Sequence, residues 1–105
     1  MGYVYLIYEP STGNYKIGVT TGSIERRMKK LQTGNSSELH VAKYFQCEHP
    51  FKLEAMLHAF FKPKLVINEW YDLSLQEVDD FTATCEKLDH TISNLRNNPF
   101  FFKKK

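Results

Sequence analysis

The strongest constraint on this chain sits at its start, where GYVYLIYEP (residues 2–10) and YKIGVT (residues 15–20) are separated only by STGN. Aromatic and β-branched residues suit a pleated, half-buried surface, and Ser, Thr, Gly and Asn supply turn conformations, so the three pieces read as one β-hairpin. Alternation then assigns faces: Tyr3, Tyr5 and Ile7 share one side of the first strand, while Val4, Leu6 and Tyr8 share the other. In the second strand Lys16 stands between Tyr15 and Ile17-Gly18. A slip of one residue would exchange Tyr15 and Lys16 between faces, so the pairing decides which of them shares a face with Tyr5.

Downstream, SIERRMKKLQ places Ile24, Met28 and Leu31 at helical spacing, and TGNSS closes that helix as a loop. LHVAKYFQC alternates Leu39, Val41, Lys43, Phe45 and Cys47 against His40, Ala42, Tyr44 and Gln46, which predicts a strand. A helix after Pro50 carries Leu53, Met56, Leu57, Phe60 and Phe61 on one side and ends near residue 62, before Pro63. LVINEWYDL reads as a short extended piece. Ser74 and Glu77 make a capping box that opens a last helix, 74–97, with Leu75, Val78, Phe81, Cys85, Leu88, Ile92 and Leu95 as its apolar stripe. The order β-β-α-β-α-(β)-α predicts an α+β fold, a three-stranded, largely antiparallel sheet flanked by helices. It is expected as a single domain over residues 1–98, with its core in 2–73 and an aromatic-basic tail, FFFKKK, within 99–105.

A chain of 105 residues has material for one modest core. No apolar run approaches the roughly 18–20 residues that cross a bilayer, and no basic stretch precedes a long apolar one, so a soluble, intracellular protein of cytoplasm or nucleus is expected, without membrane partners. Cys47 and Cys85 form no metal spacing, and Cys85 lies on an apolar helix face, so both are expected as buried free thiols. The net charge of +2 is small, but residues 1–71 hold nine Lys and Arg against six Asp and Glu, with ERRMKK the densest patch. That patch is either a solvated helix face or a phosphate-facing one.

Taken in order, GYVYLI, YKIGVT, the helix with ERRMKKL, the helix with LEAMLHAFF and the segment NEWYDL resemble the GIY-YIG nuclease superfamily over residues 2–73. The closest likeness is to its small viral, phage and fungal branch, in which the second motif reads Lys-Ile-Gly rather than Tyr-Ile-Gly. The resemblance implies a metal-dependent endonuclease that hydrolyses DNA phosphodiester bonds with Mg²⁺ or Mn²⁺. Such chemistry needs a base, a cation on the phosphate and a carboxylate for the metal.

Laid on this chain, the resemblance makes Tyr5 the first-motif tyrosine, with Tyr3 beside it, and sets Lys16 where the second tyrosine would stand. A phenol, with a pKa of about 10, is a poor base at neutral pH unless a cation assists it, which gives a lysine there a purpose. Tyr15 would reach the site only through a bulge. Without the resemblance, the tyrosines are strand packing. Arg27 falls at the edge of the first helix's apolar face and matches the family's arginine, whereas Arg26, Lys29 and Lys30 lie toward solvent as DNA contacts. A structural pair of Arg27 with Glu69 or Glu54 is its bland alternative, and where the family often has a histidine one turn later this chain has Leu31. Glu54, with His58 one turn on, is the metal candidate, held against an exposed helix glutamate as the alternative. Trp70 and Tyr71 are expected to anchor the segment before the last helix, and Glu69 to pair with Arg27 or Lys16.

Two function classes follow, a small endonuclease and a DNA-binding module of the same fold with weak or no cleavage. A protein-interaction domain working through the last helix and tail ranks third. DNA structure preference and oligomeric state have no signature in these residues.

Overall fold

The computed structural model describes residues 1–96. The end of the expected 74–97 helix, the 98 boundary and the FFFKKK tail lie outside them. The chain runs β1 (Gly2–Glu9), β2 (Asn14–Thr20), α1 (Ile24–Thr33), β3 (His40–Cys47), α2 (Pro50–Phe60), a 3₁₀ turn (Lys62–Lys64), β4 (Leu65–Ile67), β5 (Trp70–Tyr71), α3 (Leu75–Asp79) and α4 (Phe81–Arg96). The strands form one sheet in the order β3-β1-β2-β5-β4, antiparallel throughout.

The hairpin forms as its residues dictate. Glu9 O accepts from Thr12 N and Gly13 N, and Gly13 takes the left-handed conformation, φ 76°, that the tight turn requires. From there the β1–β2 ladder runs without a shift from Glu9↔Asn14 to Tyr3↔Thr20. The α1 helix starts on Ser23, whose Oγ accepts from Arg26 N at 3.1 Å, and stops at Gly34.

Three expectations change. The sheet has five strands, because LVINEWYDL folds back on itself as β4 and β5, with Asn68 at φ 52° in the turn. Asn tolerates that left-handed conformation better than most residues. Tyr71 and Trp70 then pair with Tyr15 and Lys16, joining the small hairpin to β2. Second, β3 does not alternate cleanly: β1 pairs Leu6 with Lys43 but Ile7 with Val41, a bulge that leaves Ala42 over. Phe45 and Cys47 therefore face the side opposite to Leu39. Third, the last helix comes in two pieces. Asp80 closes α3, its N–H reaching Gln76 O and Val78 O, while its own carbonyl accepts from Thr84 N to open α4. Leu75, expected in the apolar stripe, is exposed at the start of α3. The capping box is present, with Ser74 Oγ accepting from Glu77 N and Glu77 Oε1 accepting from Ser74 N.

The main core lies on the side covered by α2 and α4, where Val4, Leu6, Ile17, Leu53, Leu57, Phe81, Cys85 and Ile92 are buried together. Each such aliphatic or aromatic side chain contributes about 1.5–3 kcal/mol. Alternation sends Tyr5 and Ile7 to the opposite face, where with Leu39 they meet Ile24, Met28 and Leu31 of α1, and Trp70. Cys47 and Cys85 are both free and buried, and burial pushes their thiols up to about 11 and about 12.

Candidate functional site

Continuous pairing of β1 with β2 settles which side chain accompanies Tyr5. Tyr5 lies opposite Gly18 and Ile7 opposite Lys16, so Lys16 is on the Tyr5 face and Tyr15 on the other. Tyr15 is buried in the main core against Tyr8, with ring centroids 4.9 Å apart, and no bulge in β2 brings it across. Burial, then Tyr8 and Asp79, raise its pKa.

Tyr5 is 2% exposed, its ring lying over Gly18 so closely that a Cβ there would strike Cζ and the hydroxyl. Glycine is the residue that permits this approach. Arg27 reaches in from α1: Nε donates to Tyr5 Oη at 3.3 Å and Nη2 to Val19 O at 3.4 Å. A guanidinium at a core boundary needs acceptors, and it finds a phenol and a carbonyl rather than Glu54 or Glu69. The rest of its helix conforms to the expected faces, with Arg26, Lys29 and Lys30 exposed. Arg26, Arg27 and Lys30 converge with Thr20, Gly22 and Ser23 on a small cavity of ≈120 Å³. Tyr3, on the Tyr5 face two residues earlier, meets Tyr44 edge-on with centroids 6.0 Å apart.

Lys16 pairs with Glu69 at 2.9 Å, and its ammonium lies 5.8 Å from the Trp70 ring centroid. Glu69 sits where β5 begins, its carbonyl accepting from Ile17 N. It also lines a second, wider cleft of ≈510 Å³ with Glu54, His58, Lys62, Asn68 and Tyr71. Glu69 thus belongs both to the lysine's surroundings and to the carboxylate cleft on the α2 side.

In that cleft α2 stacks Glu54 and His58 one turn apart, with Glu54 Oε2 and His58 Nε2 at 3.4 Å. The other ring nitrogen, Nδ1, makes a short hydrogen bond with Tyr71 Oη. Glu54 can only accept, whereas Tyr71 Oη can donate or accept, so the protonation of the His58 ring sets the direction of the bond to Tyr71. Burial first, then Glu69 and Glu54, raise the Tyr71 pKa, which keeps a proton on its hydroxyl. The His58–Tyr71 contact has no signature in local spacing. Thirteen residues apart, the two meet only because the β4–β5 hairpin returns Tyr71 to β2.

Among the described residues no three His, Cys, Asp or Glu side chains converge as a metal cage. Two carboxylates on one open cleft, Glu54 and Glu69, are instead a donor set that fits a hard cation keeping much of its water, as Mg²⁺ does. Of the described residues lining that cleft, His58 is the single imidazole and none is Cys, so the lining is not the Cys/His set of a structural zinc site.

The described residues include no helix long and apolar enough to cross a membrane. Neither a curated protein nor a solved structure matches the chain. A family model does, across the sheet, both candidate clusters and the start of α4: the chain belongs to the T5orf172 domain family, matched over residues 2–86.

Proposed function

We propose that this chain is a divalent-metal-dependent endonuclease of GIY-YIG type that hydrolyses DNA phosphodiester bonds. Membership of the T5orf172 family supports a nuclease or DNA-binding role in general. The observation that carries the finer reading is the arrangement around β2. Lys16 and Gly18 lie on the face of Tyr5 and Arg27, and Glu69 ties Lys16 to the cleft that holds Glu54.

In this reading Arg27 and Lys16 take the charge of the scissile phosphate. Arg27 does so through guanidinium edges pre-aligned by Tyr5 Oη and Val19 O, and Lys16 by exchanging Glu69 for a phosphate oxygen. Tyr5 Oη, hydrogen-bonded by Arg27 Nε, relays the proton of the attacking water: as water's oxygen bonds to phosphorus and the bond to the sugar oxygen breaks, the phenol takes that proton and passes its own to solvent, and the sugar oxygen leaves with a proton from solvent. Glu54, oriented by His58, and Glu69 would hold Mg²⁺ or Mn²⁺, which supplies Lewis-acid stabilisation of the phosphate when bound.

The test is cleavage of supercoiled plasmid and of branched DNA by purified protein with Mg²⁺ or Mn²⁺, beside Arg27→Ala and Glu54→Ala. Metal-dependent cleavage that each variant lowers by about 100-fold is expected. A second reading, the binding module, is favoured by one observation: a lysine paired to Glu69 replaces a tyrosine on the Tyr5 face. Salt-sensitive DNA binding without cleavage under any metal would assign it.

A further inference from the structure

Beside the Tyr5 face, at its outer margin, lies a cavity the proposed chemistry does not use. It measures ≈320 Å³ and is walled by Tyr3, Ile24, Val41 and Tyr44, with Ser23 and Glu25 at its polar side. Tyr44 stands on the edge strand β3 directly across from Tyr5, yet the residue is 57% exposed. Tyr3 meets Tyr44 edge-on, so the two rings are not stacked on each other. Ser23 is shared with the neighbouring cavity, where Arg26, Arg27 and Lys30 converge.

We infer that these adjoining cavities form a subsite for one unpaired nucleotide of the DNA substrate, its base against Tyr44 and Tyr3 and its phosphate on Arg26 and Lys30, next to Arg27. The inference rests on the DNA-acting reading above and narrows it to DNA containing single-stranded segments: flaps, forks or gaps.

The chemistry selects this occupant. An aromatic wall next to a cluster of cations answers the two halves of a nucleotide, a π-face and an anion. A paired base keeps its faces inside the duplex stack, so only an unpaired one presents a face to Tyr44. Glu25 repels phosphate and accepts from base N–H groups, which sends the base to the Tyr44 cavity and the phosphate to the Arg26 side. The subsite also adjoins the proposed reaction centre, because Tyr44, Tyr5 and Gly18 lie abreast on β3, β1 and β2.

The experiment is equilibrium binding of the full chain, in chelator and at one fixed salt concentration, to a single-stranded oligonucleotide, a forked one and the matching blunt duplex. Tyr44→Ala is expected to weaken binding to the first two about 10-fold and to the duplex less than twofold, while Tyr44→Trp retains parent affinity. A 2-aminopurine in the unpaired strand should be quenched by the parent and not by Tyr44→Ala. Tyr44→Leu, which keeps apolar cover on the strand without a ring, should reproduce the loss and separate stacking from folding. Equal effects on all three DNAs, no effect on any, or an unquenched reporter would overturn the subsite and leave this wall to an apolar protein side chain. Tyr44-dependent binding without cleavage under any metal keeps the subsite and rejects the nuclease. Metal-dependent cleavage with Tyr44-independent binding does the reverse.

Discussion

On the side of the sheet covered by α2 and α4, Leu6, Ile17, Leu53, Leu57, Phe81, Cys85 and Ile92 have no significant exposed surface. On the other side the buried hydrophobic cluster among the described residues is just Tyr5, Ile7 and Leu39, and α1, which covers them, contributes no buried residue at all. One helix lying loosely on a sheet leaves its polar flank near the strands. Arg27 can therefore set its guanidinium on a buried phenol, and Lys16 can lie on a strand with its ammonium at the surface. The tight face supplies folding free energy, and the loose face offers charged groups at modest desolvation cost. Glu54 and His58 show the same rule from the other direction, since they stand at the rim of the tight face rather than inside it.

The largest effects should separate the two faces by stability alone. Phe81→Ala is expected to cost about 3–5 kcal/mol in urea unfolding, as a fully buried ring removed from a packed core. Met28→Ala on α1 should cost roughly 1–2 kcal/mol, because its side chain is already partly in water. Equal losses would show that α1 is as much a part of the core as α4. Gly18→Ala comes next, at roughly 1–3 kcal/mol, since the new methyl must displace the Tyr5 ring. It should also lower DNA cleavage beyond what lost folding accounts for, because the Arg27–Tyr5 hydrogen bond leaves with the ring. Loss of stability with cleavage intact would remove Tyr5 from the site.

How much of this was legible in the sequence follows the same division. Hairpin faces, the α1 stripe with Arg27 at its edge, the Ser74 capping box and the buried thiols all rest on neighbours within a few residues, where alternation and helical period speak directly. The β4–β5 hairpin was hidden, because three exposed residues, Leu65 to Ile67, show no alternation and two-residue β5 is too short to have a pattern. The β3 bulge is a property of pairing with β1 and has no local mark. Local sequence marks Tyr71 as an anchor, but its hydroxyl's place on His58 depends on that same hidden hairpin. Charge alone makes both Lys16 and Arg27 partners for Glu69, and only the strand order brings Lys16, 53 residues away, to it.

Alkaline pH gives a smaller effect, and one confined to the tight face. Cys47 and Cys85 are pushed from 9.0 to about 11 and about 12, chiefly by burial, with Asp89 adding to both and Cys47 adding to Cys85. Below pH 9 folded and unfolded chains both hold these protons, and stability is at its full value. Above it the unfolded chain releases them first, so stability falls as pH rises toward the folded values, by up to about 1.4 kcal/mol per thiol for each pH unit. Tyr15 and Tyr71, also raised by burial, add to the slope above pH 10. Urea midpoints measured at pH 8 and pH 10 should show the fall. Cys85→Ala, less stable at pH 8, should lose less between the two. A pH-independent midpoint would mean that both thiols reach solvent in the folded chain.

The smallest stability effect is expected where the functional effect is most informative. Glu69 is half exposed, with its side chain at 49% against 21% for Lys16, so solvent screens their pair, and Glu69→Gln should cost no more than about 0.5 kcal/mol. Removing that charge frees Lys16 for phosphate and takes a repulsive carboxylate from the cleft. DNA binding should tighten about 2–5-fold at low salt and its salt dependence should steepen by about one counterion. Cleavage should move the other way, because the same carboxylate is one of two available to a divalent ion beside Glu54. Tighter binding with slower cleavage would mark Glu69 as the residue through which the loose face and the carboxylate cleft work as one site. If binding and cleavage rise together, Glu69 only masks Lys16, and the metal is left to Glu54.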